Sequence, residues 1–250
     1  MTVKPIYTFP KSLEKKNTHY CPGCHHGIVH RLIAELIDEM NLLEKTVIVW
    51  PVGCSVLGYE YLKTDGVEAA HGRAPAMATG IKRASPDSFV ISYQGDGDLA
   101  SIGMAEIAHA AARGEKITVV FINNTNYGMT GGQMAPTTLV GQKTTTSPYG
   151  RDPNVCGYPI RVSEMLATLE GPAYIARAAV NKPARIVQAK KFLRKAFNAQ
   201  LKGLGFSMVE FLSACPIQWH MTPIEALNRI EKELIPYYPL GEFKVKEGVE

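Results

Sequence analysis

Short apolar segments alternate along this chain with segments of helical periodicity. Three apolar segments, rich in β-branched and aromatic residues, are predicted to be buried strands: 46–50, 89–93 and 117–122. Two further strands are predicted at 173–180 and 208–212. Helical spacing or an alanine-rich composition predicts the intervening helices: 27–40, 73–84 and 101–113. Apolar strands separated by helices are typical of an α/β fold, with a mostly parallel sheet flanked by helices.

Capping residues indicate two helices in the second half of the chain. Ser163 is predicted to cap a helix that ends at Leu169, before a Gly-Pro pair. Thr222 and Glu225 form a capping box, with proline at the first helical position, for a helix that runs to about Leu234. Between the first and last predicted elements there is no repeat or long linker. We therefore expect one domain over residues 18–238, an N-terminal arm over 1–17 and a C-terminal arm over 239–250.

Composition and charge exclude several classes of protein. The chain has 250 residues, of which 46% are hydrophobic, enough for a sizeable core. No apolar run approaches about 18 residues and the N-terminus lacks an apolar signal region, so we expect no membrane span and a cytoplasmic location. The net charge is only +4, and the densest basic stretch, residues 190–197, reads as an amphipathic helix with a solvated face. We therefore expect no nucleic-acid partner; docking of an acidic protein is the lesser alternative.

Polar residues follow two neighbouring strands of the predicted sheet. The strand 89–93 leads into Gln-Gly-Asp-Gly-Asp at 94–98 and then a helix, while the strand 117–122 leads into Asn-Asn-Thr-Asn at 123–126. Ligands of open parallel sheets bind at the carboxyl ends of the strands, where a helix N-terminus favours an anion. Asp96 and Asn124 are thus expected to meet at one edge of the sheet. A carboxylate, an amide oxygen, a backbone carbonyl, two phosphates and water would complete a Mg²⁺ site.

Four of the five cysteines suggest a shared centre. Cys21 and Cys24 form a C-x-x-C pair, Cys54 follows a strand, and Cys215 precedes a proline after another strand. Three alternatives stay open from the spacing: a thioredoxin-type pair, a structural zinc and an iron–sulfur cluster. Cys156 is expected to be an unligated thiol.

Taken together, these motifs resemble the β subunit of the 2-oxoacid:ferredoxin oxidoreductases. The matching segments extend in register from about residue 18 to 235: Cys-Pro-Gly-Cys at 21–24, Val-Gly-Cys-Ser at 52–55, His-Gly-Arg-Ala at 71–74, Gln-Gly-Asp-Gly-Asp at 94–98, Ile-Asn-Asn-Thr-Asn-Tyr-Gly-Met-Thr-Gly-Gly-Gln at 122–133 and Cys-Pro at 215–216. The resemblance implies the pyrophosphate-binding domain of a thiamine-diphosphate enzyme. It also implies oxidative decarboxylation of a 2-oxoacid to an acyl-CoA, with electrons passed to ferredoxin.

The same resemblance implies the ligands of three cofactors. A [4Fe–4S] cluster would be held by Cys21, Cys24, Cys54 and Cys215. Mg²⁺ would be held by Asp96, Asn124 and the backbone carbonyl of Asn126. Thiamine diphosphate would be lined by Val52, Gly53, Cys54, Ser55, His71, Gly72, Arg73, Gly95, Gly97, Asp98, Tyr127, Gly128, Met129 and Thr130.

The resemblance also implies partner subunits. Thiamine-diphosphate enzymes bind the cofactor between a pyrophosphate and a pyrimidine domain, and this chain has length for only the first. In the family an activating glutamate belongs to another subunit, so no general base is assigned here. We expect an α-type subunit that completes the site and a ferredoxin-like subunit or ferredoxin that accepts electrons. Coenzyme A and a 2-oxoacid are the expected substrates.

The residues after Cys54-Ser55 bear on which 2-oxoacid is used. Relatives that act on 2-oxoglutarate tend to carry Gly and then Lys or Arg there, whereas this chain has Val56 and Leu57. We therefore expect a branched aliphatic substrate such as 2-oxoisovalerate, unless these side chains only pack in the core. 2-Oxoglutarate and pyruvate remain alternatives. Arg73 and Lys82 could contact an anion or form helix salt bridges.

Two other functions and one set of histidines complete the sequence-based expectations. A non-redox thiamine-diphosphate enzyme or a zinc-stabilised scaffold subunit would use the cysteines structurally. His25, His26 and His30 are interpreted as hydrogen-bonding residues near the cofactor or an interface.

Overall fold

Seven strands form a single sheet in residues 8–250, the part of the chain that the computed structural model describes. The strands are β1 (Thr46–Trp50), β2 (Asp65–Glu68), β3 (Phe89–Gly95), β4 (Thr118–Asn123), β5 (Pro172–Ala179), β6 (Phe206–Leu212) and β7 (Gly241–Val245). Their order is β2-β1-β3-β4-β6-β5-β7, and every neighbouring pair is parallel except β5 with β7. The predicted α/β fold with a mostly parallel sheet is confirmed.

Helices cover both faces of this sheet. They are α1 (His26–Glu39), α2 (Ala74–Ala84), α3 (Met104–Ala112), α4 (Pro153–Cys156), α5 (Val162–Ala167), α6 (Pro183–Leu201), α7 (Pro216–Trp219), α8 (Pro223–Arg229) and α9 (Ile235–Tyr237). The apolar sides of α1 and α6 pack on one face, and those of α2, α3 and α5 pack on the other. Within residues 8–250, no helix is both long enough and apolar enough to cross a membrane.

The order of the strands brings four loops together at one edge. β1, β3, β4 and β6 are consecutive neighbours and run in the same direction, with Gly95 opposite Ile122 and Asn123 opposite Leu212. The loops that follow their carboxyl ends carry Cys54, Asp96, Asn124 and Cys215 respectively. The topology thus places the glycine-rich motif, the asparagine pair and two of the cysteines side by side.

The predicted helix over 101–113 is divided. A π-helical turn at Asp98–Ile102 precedes Gly103, and α3 begins only at Met104. A Cβ at Gly103 would lie 2.7 Å from the carbonyl oxygen of Asp98 and 2.8 Å from that of Gly72. The close approach of these backbones requires glycine and interrupts the helix.

The predicted serine cap at Ser163 is wrong, whereas the capping box at Thr222 is confirmed. Helix α5 begins at Val162, with Arg161 at its N-cap, and no side chain caps it. Ser163 Oγ instead donates to Glu210 Oε2 at 2.5 Å. Thr222 and Glu225 satisfy each other's backbone N–H groups as expected.

The ends of the described chain pack on the domain. Residues 1–7 of the predicted N-terminal arm lie outside the described residues; Ser12, further along, is buried and donates to the carbonyl oxygen of Ala34 at 2.9 Å. Residues 241–245, within the predicted C-terminal arm, form strand β7 against β5.

The basic stretch at residues 190–197 lies in α6, where Lys190 pairs with Glu35 at 2.6 Å and Glu39 at 2.7 Å on α1.

Candidate active site

A pocket of about 120 Å³ opens at the carboxyl ends of β1, β3 and β4. It is lined by His26 and by fifteen residues of the expected thiamine-diphosphate and Mg²⁺ sites. These fifteen are Val52, Gly53, Cys54, Ser55, His71, Gly95, Asp96, Gly97, Asp98, Asn124, Asn126, Tyr127, Gly128, Met129 and Thr130. Residues from five separate segments therefore meet in one cavity.

Two expected cofactor-lining residues lie outside this pocket. Arg73 pairs with Glu106 on α3 and donates to the carbonyl oxygen of Ile102 at 3.3 Å, so its guanidinium is committed to a helix contact. Gly72 uses its backbone N–H to donate to Asp98 Oδ1 at 2.6 Å. Lys82 donates to the carbonyl oxygens of Pro86 at 2.7 Å and Ser88 at 2.6 Å.

Three oxygen-bearing groups converge at the bottom of the pocket. One terminal atom of the Asn124 amide lies 2.7 Å from the carbonyl oxygen of Asn126 and 3.2 Å from Asp96 Oδ1. If that atom is the amide nitrogen, it donates to both oxygens. If it is the amide oxygen, three oxygens face one another, an arrangement that a bound cation or a proton on Asp96 would stabilise. These donors suit a hard cation such as Mg²⁺.

The Asp96 carboxylate is deeply buried. Burial raises the pKa of Asp96 to about 7, although hydrogen bonds from Thr137 and from the backbone of Gly97 oppose the shift. Thr137 Oγ donates to Asp96 Oδ2 at 2.6 Å, and the Gly97 N–H donates to Oδ1 at 2.9 Å. The carboxylate is thereby held in one orientation toward Asn124.

His71 is oriented by a second buried carboxylate. Its Nδ1 lies 2.5 Å from Asp98 Oδ1, while Gln94 Nε2 donates to Asp98 Oδ2 at 2.6 Å. Because the carboxylate only accepts, Nδ1 of His71 donates the hydrogen bond. The imidazole is about one-third exposed.

The four cysteines of the expected cluster line a second, smaller cavity. This cavity of about 60 Å³ is almost wholly apolar and is lined by His19, Tyr20, Cys21, Cys24, His26, Cys54, Asn124, Gly128, Cys215, Pro216, Ile217 and Gln218. No three His, Cys, Asp or Glu side chains within residues 8–250 form a ready-made site for a metal ion. The cysteines thus share a cavity rather than a preformed coordination sphere. Cys156 lies elsewhere, in α4.

Burial and mutual proximity raise the pKa of three of these thiols. Burial raises the pKa of Cys24 to about 12, and the neighbouring Cys215 and Cys54 add to the shift. Burial raises the pKa of Cys54 to about 12 as well, again with Cys215 adding to it. The pKa of Cys215 is also raised, first by burial. Four thiolates in one apolar cavity need positive charge at the centre, which an iron–sulfur cluster or a metal ion supplies.

One wall separates the two cavities. His26, Cys54, Asn124 and Gly128 line both of them. A Cβ at Gly128 would lie 3.2 Å from Cys54 Sγ and 3.6 Å from Cys215 Sγ, so the missing side chain brings the backbone of this wall close to the thiols. A wall one residue thick therefore separates the two cavities.

The three histidines act as hydrogen-bonding groups. His26 Nδ1 lies 2.8 Å from the Tyr93 hydroxyl, and burial lowers the pKa of His26 to about 3. His30 Nε2 lies 3.3 Å from the Tyr20 hydroxyl, and the backbone N–H of Ala214 donates to His25 at 3.3 Å. These neutral imidazoles form part of the packing behind the cysteine cavity.

Several residues of the site have no signal in the sequence. Thr137 reaches Asp96 across 41 positions, and Trp219 Nε1 donates to the carbonyl oxygen of Asn124 at 3.1 Å. Arg151, which is buried, organises the loop around Thr137. Its guanidinium donates to six carbonyl oxygens, those of residues 135, 136, 138, 156, 157 and 158. These contacts depend on how the long 124–160 loop folds back over the sheet edge.

Comparison with known proteins agrees with this geometry. The family described as "Thiamine pyrophosphate enzyme, C-terminal TPP binding domain" matches residues 51–211. The 2-oxoglutarate synthase subunit KorB of Archaeoglobus fulgidus is 38% identical over 215 residues, which cover 86% of this chain and 76% of that subunit. The chain belongs to the 2-oxoacid:ferredoxin oxidoreductase family. Residues 51–211 are its thiamine-diphosphate-binding domain.

Two further relatives extend the comparison. The ketoisovalerate oxidoreductase subunit VorA of Methanothermobacter thermautotrophicus is 49% identical over 227 residues, 91% of this chain. This family member spans only about half, 48%, of that subunit's length. The structure of the 2-oxoglutarate:ferredoxin oxidoreductase from Magnetococcus marinus, with 2-oxoglutarate, coenzyme A and succinyl-CoA bound, superposes with a TM-score of 0.77 at 25% identity. It covers 98% of this chain and 87% of that one.

Proposed function

We propose that this chain is the thiamine-diphosphate- and cluster-binding part of an enzyme that oxidatively decarboxylates a 2-oxoacid to an acyl-CoA and passes the electrons to ferredoxin. The wall formed by Cys54, Asn124 and Gly128 carries the proposal, because these residues line both the cofactor pocket and the cysteine cavity. A non-redox thiamine-diphosphate enzyme has no need of four cysteines against its cofactor pocket.

The residues at the bottom of the pocket fit Mg²⁺ and a pyrophosphate. Asp96, Asn124 and the Asn126 carbonyl would hold the ion, since the Asn124 amide lies 2.7 Å from the Asn126 carbonyl oxygen and 3.2 Å from Asp96 Oδ1. Asp98 would keep His71 oriented at the pocket wall, and Gly97 would leave room for the backbone to approach the phosphates.

The second cavity fits a [4Fe–4S] cluster on Cys21, Cys24, Cys54 and Cys215. Its lining is mostly apolar, and the Gly128 backbone leaves space beside two of the thiols. When bound, thiamine diphosphate would supply the electron sink for decarboxylation and the cluster would supply a one-electron acceptor. The chain's own residues would bind and orient these groups.

We further propose a branched-chain substrate of the 2-oxoisovalerate type. The 49% identity to a ketoisovalerate oxidoreductase subunit supports it, as do the apolar Val56 and Leu57. Both side chains are half-buried in a 3₁₀ turn at 56–60, next to Ser55 of the pocket but not in its lining. They would reach the substrate from the rim. 2-Oxoglutarate is the second candidate, favoured by the KorB relatives.

The remaining parts of the enzyme would come from partner subunits in the cytoplasm. Apolar side chains stand exposed beside the pocket, with Met129 52% and Val52 44% accessible, as expected of a face that another subunit covers. That α-type subunit would supply the pyrimidine side of the site and the activating glutamate. A ferredoxin-like subunit or ferredoxin would take electrons from the cluster.

The experiment that tests the proposal is metal analysis with EPR spectroscopy. We would purify the chain and its Cys54→Ser and Cys156→Ser variants anaerobically, and measure iron, sulfide and zinc before and after reduction with dithionite. About four irons and four sulfides per chain, lost in Cys54→Ser and kept in Cys156→Ser, are expected. Zinc in place of iron, with no signal from a reduced cluster, would overturn the redox function in favour of a non-redox enzyme or a scaffold.

A further inference from the structure

Thr125, in the middle of the Asn-Thr-Asn segment, has a left-handed backbone. Its φ is +60°, a conformation that is unfavourable for a β-branched residue. Across this turn, the Asn124 amide lies 2.7 Å from the carbonyl oxygen of Asn126 and 3.2 Å from Asp96 Oδ1. Something must therefore hold this residue in place.

Asn123 holds the turn from below. It is the last residue of β4 and is fully buried, and its Oδ1 accepts a hydrogen bond from the Thr125 N–H at 3.2 Å. The carbonyl oxygen of Thr125 accepts from Thr138 Oγ at 2.6 Å and from Gln142 Nε2 at 3.0 Å, so both sides of its peptide are fixed.

The orientation of the Asn123 amide is set in turn by Glu210 on the neighbouring strand β6. Asn123 Nδ2 donates to Glu210 Oε1 at 2.7 Å. A carboxylate only accepts, so the NH₂ group must face Glu210 and the amide oxygen must face Thr125. An amide in the reverse orientation would set its NH₂ group against the Thr125 N–H.

Glu210 is itself immobilised inside the protein. Ser163 Oγ donates to its Oε2 at 2.5 Å, and Arg177 Nε lies 2.8 Å from the same oxygen. Arg177 is fully buried and also binds Glu164 through NH1 at 2.9 Å and NH2 at 2.6 Å. None of these groups reaches the cofactor pocket, and the proposed chemistry does not use them.

We propose that Glu210 and Asn123 are positioning residues that fix the left-handed turn at Thr125 and so set the affinity of the site for its divalent metal. The role rests on the proposed Mg²⁺ site. The Glu210 carboxylate fixes the orientation of the Asn123 amide, and that amide accepts a hydrogen bond from the Thr125 N–H. The conformation of Thr125 in turn positions the two proposed ligands on either side of it, the Asn124 amide and the Asn126 carbonyl. Partners of this kind, one step behind the ligands, typically change metal affinity by about 10–100-fold.

Mn²⁺ binding measured by EPR, with and without thiamine diphosphate, tests this role in the purified enzyme with all its subunits. Asn123→Ala and Glu210→Gln are each expected to weaken thiamine-diphosphate-dependent Mn²⁺ binding by about tenfold or more. Ser207→Ala is the matched control, because it removes a buried hydrogen bond from the same strand β6, to the carbonyl oxygen of Ala196 at 2.9 Å, that is not part of this chain of contacts. It should lower the thermal midpoint without weakening Mn²⁺ binding.

A second variant separates positioning from general stability. Glycine adopts a left-handed backbone without strain, so adding Thr125→Gly to Asn123→Ala should recover most of the Mn²⁺ affinity. Equal affinity in wild type, Asn123→Ala and Glu210→Gln would overturn the positioning role while leaving the proposed function intact. Absence of thiamine-diphosphate-dependent Mn²⁺ binding in the wild type would overturn both.

Discussion

Gly128 lies so close to Cys54 that a Cβ on the glycine would be 3.2 Å from the cysteine Sγ. The same Cβ would lie 3.6 Å from Cys215 Sγ. Gly128 also lines the cofactor pocket on its other side. Its lack of a side chain therefore sets how thin the wall between the two cavities can be.

Gly128→Ala should reduce cluster occupancy without unfolding the chain. The added methyl group would crowd Cys54 Sγ, which would have to move by a few tenths of an ångström, and would contact Cys215 Sγ at an ordinary distance. We expect iron per chain after anaerobic purification to fall well below that of the wild type. Gly80→Ala is the control, since a Cβ there meets nothing within 4 Å. Full iron content in Gly128→Ala would contradict this prediction, because the wall would then accommodate the methyl group without displacing a ligand.

Gly97→Ala should weaken thiamine diphosphate binding through Tyr127. A Cβ at Gly97 would lie 2.3 Å from Tyr127 Cε1 and 2.4 Å from Cδ1, so the ring must leave its place in the pocket wall. Overpacking of this kind costs about 1–3 kcal/mol, and we expect at least roughly tenfold weaker binding in equilibrium dialysis, the equivalent of about 1.4 kcal/mol. Gly27→Ala, with open space around its Cβ, should bind normally. Normal binding in both variants would contradict this reading of Gly97.

The sequence was sufficient to predict the part of the site that strand topology dictates. Asp96 and Asn124 each follow a buried strand, and the carboxyl ends of adjacent parallel strands share an edge. No local pattern predicts the contribution of Thr137, because its hydroxyl reaches Asp96 only through the folding of the long loop that Arg151 organises.

Tertiary contacts also account for the errors in secondary structure. Ser163 has the residue type of a helix cap, but its hydroxyl is used by the buried Glu210. Strand β7 is an edge strand of only five residues that are at most half-buried, and its short polar–apolar alternation is too brief to distinguish it from a polar tail in the sequence. In both cases the deciding partner is distant along the chain.

Glu231 links helix α6 to the segment after α8, and its contribution should depend on pH. Hydrogen bonds from Arg185 and Lys182 lower the pKa of Glu231 from its ordinary 4.5 to about 2. A carboxyl group whose pKa is lower in the folded than in the unfolded protein stabilises the folded state at pH values above its unfolded pKa. This contribution is lost as the pH falls from about 4.5 toward 2. Because the pair is partly exposed, we expect Glu231→Gln to cost under about 1 kcal/mol at pH 7.

Urea unfolding at pH 7 and at pH 3 checks this effect. The difference between Glu231→Gln and wild type should shrink at the lower pH, whereas the exposed Glu170→Gln should differ little from wild type at either. A difference that is the same at both pH values would assign the effect of Glu231 to packing rather than charge.

Leu57→Lys tests the proposed preference for branched-chain substrates. Leu57 lies two residues from Ser55 of the pocket wall and is half-buried in the 3₁₀ turn at 56–60. A cation there could pair with the distal carboxylate of 2-oxoglutarate, whereas it would be desolvated without compensation beside an aliphatic chain. In the reconstituted enzyme we expect kcat/KM for 2-oxoisovalerate to fall by about tenfold or more and the ratio of the two substrates to shift toward 2-oxoglutarate. Leu57→Met, which keeps the side chain apolar, should retain the wild-type ratio. An unchanged ratio in Leu57→Lys would remove Leu57 from the specificity argument and assign substrate choice to the partner subunit.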